Sequence, residues 1–213
     1  MKKRISAPMR TVIAFTTGVL ASSFLLSAAQ AQETPVAEVK AETLEEKIAD
    51  RPEPEPAAGP ERITATEAEQ VDPEGDKALD DPLTCLARTI YWEAKGQSSK
   101  EMTAVAAVVL NRLATPEFPK TVCGVVTQGQ ETGACQFSWW CDGKPDDVEE
   151  PTQYAEATEI ARKALNQQLT DPTDGAVSFH LSSVHPGWTD RLVRTVQIGD
   201  QIFYRLPDAP AGG

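Results

Sequence analysis

The chain has 213 residues, with 32 acidic against 20 basic side chains and a net charge of −12. So acidic a chain is not expected to bind nucleic acid, whose phosphates call for a basic face. Beyond residues 1–31 no stretch is apolar and long enough to span a bilayer, so no membrane association is expected once those residues are removed.

In chain order, Lys2, Lys3, Arg4 and Arg10 form a basic start, and Val12 to Ala28 is apolar. Ala29-Gln30-Ala31 is a small-residue cleavage pattern. Residues 1–31 therefore read as a signal peptide cut between Ala31 and Gln32, giving an exported, periplasmic protein. An uncleaved anchor is the rival, but Thr16, Thr17, Ser22 and Ser23 interrupt a stretch that is already short. Residues 32–82 carry sixteen acidic and five basic side chains, and no Phe, Trp, Tyr or Cys. With Glu53-Pro54-Glu55-Pro56 and Gly59-Pro60 they read as a disordered, acidic, Pro-rich linker, dispensable for activity. A transient helix over Val39 to Ile48 is the most order expected there.

Residues 83–207 hold all four cysteines, all four tryptophans, both histidines and all three tyrosines, enough for one domain with a real core. Residues 208–213 read as a flexible tail. Asp81-Pro82 starts a helix, with Leu83, Leu86, Ala87, Ile90 and Ala94 on one face and Gly96 as its stop. Ser98-Ser99-Lys100-Glu101 is a capping box for a second helix, whose apolar face is Met102, Val105, Ala106, Val109 and Leu113. Val122 to Val126 is a short helix capped by Thr121, or a strand, with helix favoured. Gly129 to Gly133 is a turn, Gln136 to Trp140 is extended, and Asp142 to Pro151 is an acidic loop. Thr152 caps a third long helix. Ala176 to Leu181 reads as a strand, and Leu192 to Ile198 with Gln201 to Leu206 as a hairpin around Gly199-Asp200. The class is α+β, helices first and a small antiparallel sheet last.

Glu93 is the informative residue. It is a lone carboxylate in the last turn of the first helix, beside Tyr91 and Trp92. The helix end carries partial negative charge and the rings withhold water, and both raise a carboxyl's proton affinity. That is what a general acid near neutral pH needs. Lys95 would oppose the effect if its ammonium came close.

Cys85, Cys123, Cys135 and Cys141 are an even count, and two disulfides are expected. Three pairings are open; Cys123 with Cys141 and Cys85 with Cys135 is weakly preferred. The spacing suits no zinc site, and no metal or organic cofactor is expected. A cysteine peptidase using Cys85 or Cys135 with His180 is a rival function.

The ordered pieces resemble the spore cortex-lytic (SleB-type) cell-wall hydrolases. They run from Leu86-Ala87-Arg88-Thr89-Ile90-Tyr91-Trp92-Glu93-Ala94-Lys95-Gly96 through Ala104 to Arg112 and Phe118 to Val126. Cys135-Gln136-Phe137-Ser138, Cys141-Asp142-Gly143, Trp188, and Ile198-Gly199 to Tyr204-Arg205 complete the set. The resemblance covers residues 83–206. It implies a lysozyme-like helical domain acting on peptidoglycan glycan strands, as a lytic transglycosylase or a muramidase, with Glu93 as catalytic acid. A non-catalytic peptidoglycan-binding or scaffold protein on the same fold is the alternative. The family's second glutamate, after the glycine, is here Gln97. Tyr91, Trp92, Gln136, Phe137, Ser138, Trp139 and Trp188 are expected substrate contacts. Trp140 is a further candidate platform. His180 is expected to be a satisfied strand residue, and Asp142, Asp146 and Asp147 a solvated loop.

Overall fold

The computed structural model describes residues 35–50 and 55–207. The expected signal peptide and the tail at 208–213 lie outside them. Among the described residues no helix is long and apolar enough to cross a membrane.

The described chain is α+β. Its helices are α1 (Val36–Asp50), α2 (Ala65–Glu69), α3 (Pro82–Ala94), α4 (Ser99–Ala114), α5 (Val122–Val126) and α6 (Pro151–Leu165). The strands β1 (Ser178–Leu181), β2 (Val193–Ile198) and β3 (Gln201–Arg205) form an antiparallel sheet in the order β1-β3-β2. Pairs such as Phe179 with Phe203 and Ile198 with Gln201 set the register.

Helix α3 is the centre. The Asp81 carboxylate accepts from the Thr84 amide at 2.9 Å, and Pro82 opens the first turn. Leu83, Leu86, Ala87, Ile90, Tyr91 and Ala94 are buried where α1, α4, α5 and α6 close around it. On α4 the capping box forms as expected, with the Glu101 carboxylate accepting from the Ser98 amide at 2.9 Å. The apolar face of α4 enters the main core, while Ala104 and Val108 receive the sheet through Ala176, Ile198 and Phe203. Gly199 turns the β2–β3 hairpin at φ +54°, and a methyl group there would overlap the Glu101 carboxylate. Buried Arg112 ties α4 to the sheet, donating to the Val177 carbonyl at 2.6 Å and to Gln128 Oε1 at 3.0 Å. Burial brings its guanidinium down to about 10.

Three local expectations change. Ser138–Cys141 is a 3₁₀ turn rather than extended chain. Helix α6 begins at Pro151, with Glu150 rather than Thr152 at the cap. The disulfides are Cys85–Cys123 and Cys135–Cys141, with Cα separations of 5.3 and 6.2 Å. Packing of α5 against the start of α3 sets the first pair, and the 3₁₀ turn sets the second, so the preferred pairing of the sequence reading is wrong. Among the described residues no cysteine is free, which removes the thiol nucleophile of the peptidase rival.

The larger correction concerns the segment expected to be disordered. Within residues 32–82, the described parts form α1, α2 and a strap that leads into α3. Ala37, Ala41, Leu44 and Ile48 of α1 are buried in the main core, joined by Ile63, Ala68 and Val71. Asn166 brackets Ile63, accepting from its amide at 3.0 Å and donating to its carbonyl at 2.8 Å. Asp72 is buried in an ion pair with Arg88 at 3.1 Å and accepts from the Tyr154 hydroxyl at 2.6 Å. Composition hid this because Lys77, Val122 and Arg88 satisfy the acids one at a time, at Glu38, Glu45 and Asp72 respectively.

A chain beginning at Asp80 should therefore be much less stable than one beginning at Gln32. Breaking a buried ion pair alone costs about 3–5 kcal/mol, and the α1 face is lost as well. Thermal melting checks this; equal midpoints for the two chains would show the strap is not part of the fold.

Glu45 gives a second test. Burial first, with Glu42, Glu46 and Asp81 adding to it, pushes its carboxyl up to about 7 against the hydrogen bond from the Val122 amide. A raised folded value favours the protonated native state. The associated stability is full below the unfolded value and is lost as pH rises through about 7. Glu45→Gln keeps an acceptor for Val122 and cannot ionise. It should melt a few degrees above wild type near pH 8 and close to it near pH 4. An unchanged gap across that range would contradict the assignment.

Candidate active site

Glu93 lies in the last turn of α3, where Gly96 at φ +77° ends the helix and Gln201 of β3 donates to the Glu93 carbonyl at 3.5 Å. Its side chain opens into a groove of about 470 Å³ lined by Trp92, Ser138, Trp139 and the loop residues Asp142, Lys144, Pro145, Asp146 and Glu149. Burial pushes the carboxyl up to about 7. The helix end acts in the same direction. The ammonium of Lys95 does not oppose it. That ammonium sits over the Trp92 ring at 4.4 Å and the Tyr91 ring at 4.9 Å, and pairs with Glu150 at 3.1 Å.

The acidic loop is fastened to the helix that carries Glu93. The Asp146 carbonyl accepts from Trp92 Nε1 at 3.2 Å and also from Arg88. The Tyr91 hydroxyl accepts from the amides of Glu149 at 3.1 Å and Glu150 at 3.2 Å, and donates to the Glu150 carboxylate. Successive residues of one helix therefore hold the loop at two points.

Of the expected substrate contacts, Trp92, Ser138 and Trp139 line the groove with Glu93. Gln136 and Trp188 line a second hollow of about 480 Å³, together with Cys135, Phe179, His180 and Arg191. The segment 134–139 borders the second hollow with its first residues and the groove with its last. Tyr91 and Phe137 do not fit a contact role. They are 0% and 1% exposed, because α3 and the 3₁₀ turn direct them into the core. Trp140 is half-buried, donating to Gln130 Oε1 at 3.3 Å and standing edge-on to Trp139 at 6.0 Å.

Both ring nitrogens of His180 are engaged, with the Tyr204 hydroxyl at 3.0 Å and the Leu181 carbonyl at 2.8 Å. It is the satisfied strand histidine the sequence suggested. Trp188 stands edge-on to the rings of His180 and Tyr204 at 5.6 and 5.4 Å. Asp142 and Asp147 are exposed, as expected of a solvated loop, while Asp146 is half-buried; Asp142 and Asp146 also line the groove, and burial first, then the neighbouring Asp142, raises the Asp146 carboxyl. Alternation of Asp with Gly143 and Pro145 marked a loop and carried no sign of which side faces a groove. Gln97, where the family often has a second glutamate, is not part of that lining. Among the described residues no group of three His, Cys, Asp or Glu is placed to hold a metal.

Residues 96–204 match the family model described as Cell Wall Hydrolase. The chain belongs to the cell wall hydrolase family. The matched region begins just after Glu93 and ends at Tyr204 of β3. The spore cortex-lytic enzyme of Halalkalibacterium halodurans is 32% identical over 127 residues, covering 58% of this chain and 34% of that protein. The spore cortex-lytic enzyme of Bacillus subtilis is 30% identical over 124 residues, covering 57% of this chain and 36% of that one. The chain thus spans about a third of the length of the curated relatives it matches. The solved catalytic domain of the germination-specific lytic transglycosylase SleB from Bacillus anthracis is 27% identical, with a TM-score of 0.47 over 58% of this chain and 93% of that one.

Within this fold the Tyr91 hydroxyl serves as a clasp on the loop, and its buried ring is not placed to contact a ligand. Tyr91→Phe should therefore cost about 1–3 kcal/mol of unfolding free energy, since two loop amides and a carboxylate lose their partner. Denaturant titration measures it. A loss below about 0.5 kcal/mol would show that the clasp does not hold the loop.

Proposed function

We propose that this domain cleaves the glycan strands of peptidoglycan at the N-acetylmuramic acid–N-acetylglucosamine bond, as a lytic transglycosylase. The observation that carries the reading is the half-buried Glu93 carboxyl, raised to about 7 by loss of water and opening into a groove that Trp92 and Trp139 also line. Membership of the cell wall hydrolase family supports the substrate class.

The chemistry follows from the acid. Protonated Glu93 donates to the glycosidic oxygen leaving muramic acid, and an oxocarbenium-like centre develops. The carboxylate so formed takes the proton of the sugar's own C6 hydroxyl, whose oxygen closes a 1,6-anhydro ring. One group is acid and then base. Attack by water instead would give a reducing end, the muramidase outcome, which typically employs a second carboxylate. The groove's other carboxylates, Asp142, Asp146 and Glu149, belong to its loop wall, and the transglycosylase route needs Glu93 alone. Trp92 and Trp139 offer apolar faces for sugar rings, and Ser138 a hydroxyl to hold them. No organic cofactor enters the scheme. The two disulfides accord with export to the periplasm.

Glu93→Gln, assayed on purified sacculi with a check of folding, should lose on the order of a hundredfold or more of activity. In the wild type the rate should fall as pH rises through about 7, because the donating form is lost. A folded Gln variant with near-normal turnover would leave the domain as a non-catalytic glycan binder or a different enzyme.

A further inference from the structure

Residues 72–77, ahead of the matched family region, contact the groove wall directly. Asp72 Oδ2 holds Arg88 Nε at 3.1 Å, and Arg88 donates to the Asp146 carbonyl, the same oxygen that accepts from Trp92. Asp72 Oδ1 accepts from the amides of Asp76 at 3.1 Å and Lys77 at 3.0 Å, folding the strap into a tight turn. The Gly75 carbonyl at that turn accepts from the Val148 amide at 3.0 Å. Gly75 has φ +71°, and a methyl group on it would overlap the Val148 side chain. Strap and loop are thus in contact through a backbone hydrogen bond, a close packing contact and a buried ion pair.

We propose that this strap is a buttress for the active groove, with Asp72 as a positioning residue that fixes, through Arg88, the Asp142–Glu149 wall beside Glu93. The inference rests on the reading of Glu93 as the acid, and it assigns a role to a segment outside the family match. Its physical content is control of water. Shielding from water raises the half-buried Glu93 carboxyl, and the wall lines the groove into which that carboxyl opens. If Asp72 is removed, Arg88 loses its counter-ion, the Asp146 carbonyl loses a fixed donor, and the wall can move away. Water then reaches Glu93 and its proton affinity falls toward the ordinary carboxylate value. The charged groups sharing the groove are Asp142, Lys144, Asp146 and Glu149 of the loop. Lys95 is turned to Glu150, while the 3₁₀ turn and β3 bring Ser138, Trp139 and Gln201, which do not titrate in this range. A donor must be protonated to act, so the alkaline limb of the pH–rate profile should move to lower pH. A merely structural defect would lower the rate at every pH alike.

The test uses the full chain carrying Asp72→Ala, with Gly75→Ala as a second variant that displaces the wall without altering any charge. Two readouts are taken: titration of the Glu93 carboxyl by carbon-13 NMR, assigned with Glu93→Gln, and the pH–rate profile on sacculi. Both variants should titrate lower than wild type by roughly one pH unit. The alkaline limb should shift by the same amount, and the rate at acid pH should be nearly retained. Where Asp72→Ala does not fold, Asp72→Asn keeps the side-chain shape, removes the negative charge that pairs with Arg88, and reads the same titration. Folded variants whose Glu93 titrates as in wild type, with the limb unmoved, overturn the buttress. A wild type that does not cut glycan would instead remove the proposed function, while the NMR titration still decides the strap's effect on Glu93.

Discussion

Partial withdrawal of one carboxyl group from water, Glu93 at the end of α3, is the constraint on which the rest depends. In open water Glu93 would be ionised at neutral pH and useless as a proton donor; in its groove, loss of water pushes the carboxyl up to about 7. No counter-charge does this. The protein withholds water and keeps Lys95, two residues along the chain, occupied with Glu150 and two aromatic rings. The cost is a domain that resists ionisation at its own reacting group, and the surrounding packing offsets it.

The means are local to a single helix. Arg88, Tyr91 and Trp92 lie within one turn or so of Glu93, and all three reach across to the Asp142–Glu150 stretch. A rigid helix thereby carries both the acid and the anchors for the wall opposite it, so their relation does not depend on loop stiffness. Functional groups on a well-packed element are positioned more precisely than those on loops. Here α1, α4, α5 and α6 all pack on α3, and the Cys85–Cys123 disulfide joins its first turn to α5. Two residues expected to touch sugar, Tyr91 and Phe137, belong to this supporting framework.

Much of this was legible in the residues. Asp81-Pro82, the Ser98–Glu101 box and Thr121 marked helix starts because capping is a local event between neighbours in sequence. Glu93 stood out because its local surroundings are wrong for an ordinary surface glutamate. The strap was not legible. Segments poor in aromatic residues and rich in like charge usually fail to order, and nothing local to Asp72 shows that its partner is Arg88. The same holds for Ile63, whose backbone is bracketed by Asn166. Which aromatic side chains of the runs at 91–92 and 137–140 face the groove, and how the cysteines pair, are decided by long-range packing that periodicity does not encode.

Whether Glu93 alone cuts glycan strands, with the sugar's own hydroxyl as nucleophile, is read from the masses of the muropeptides released from purified sacculi. The account predicts products ending in 1,6-anhydro-muramic acid, each lighter by one water than its reducing counterpart, and none from the Glu93→Gln protein. Release of reducing ends alone would contradict the single-acid route and require a second carboxylate and a bound water in the groove.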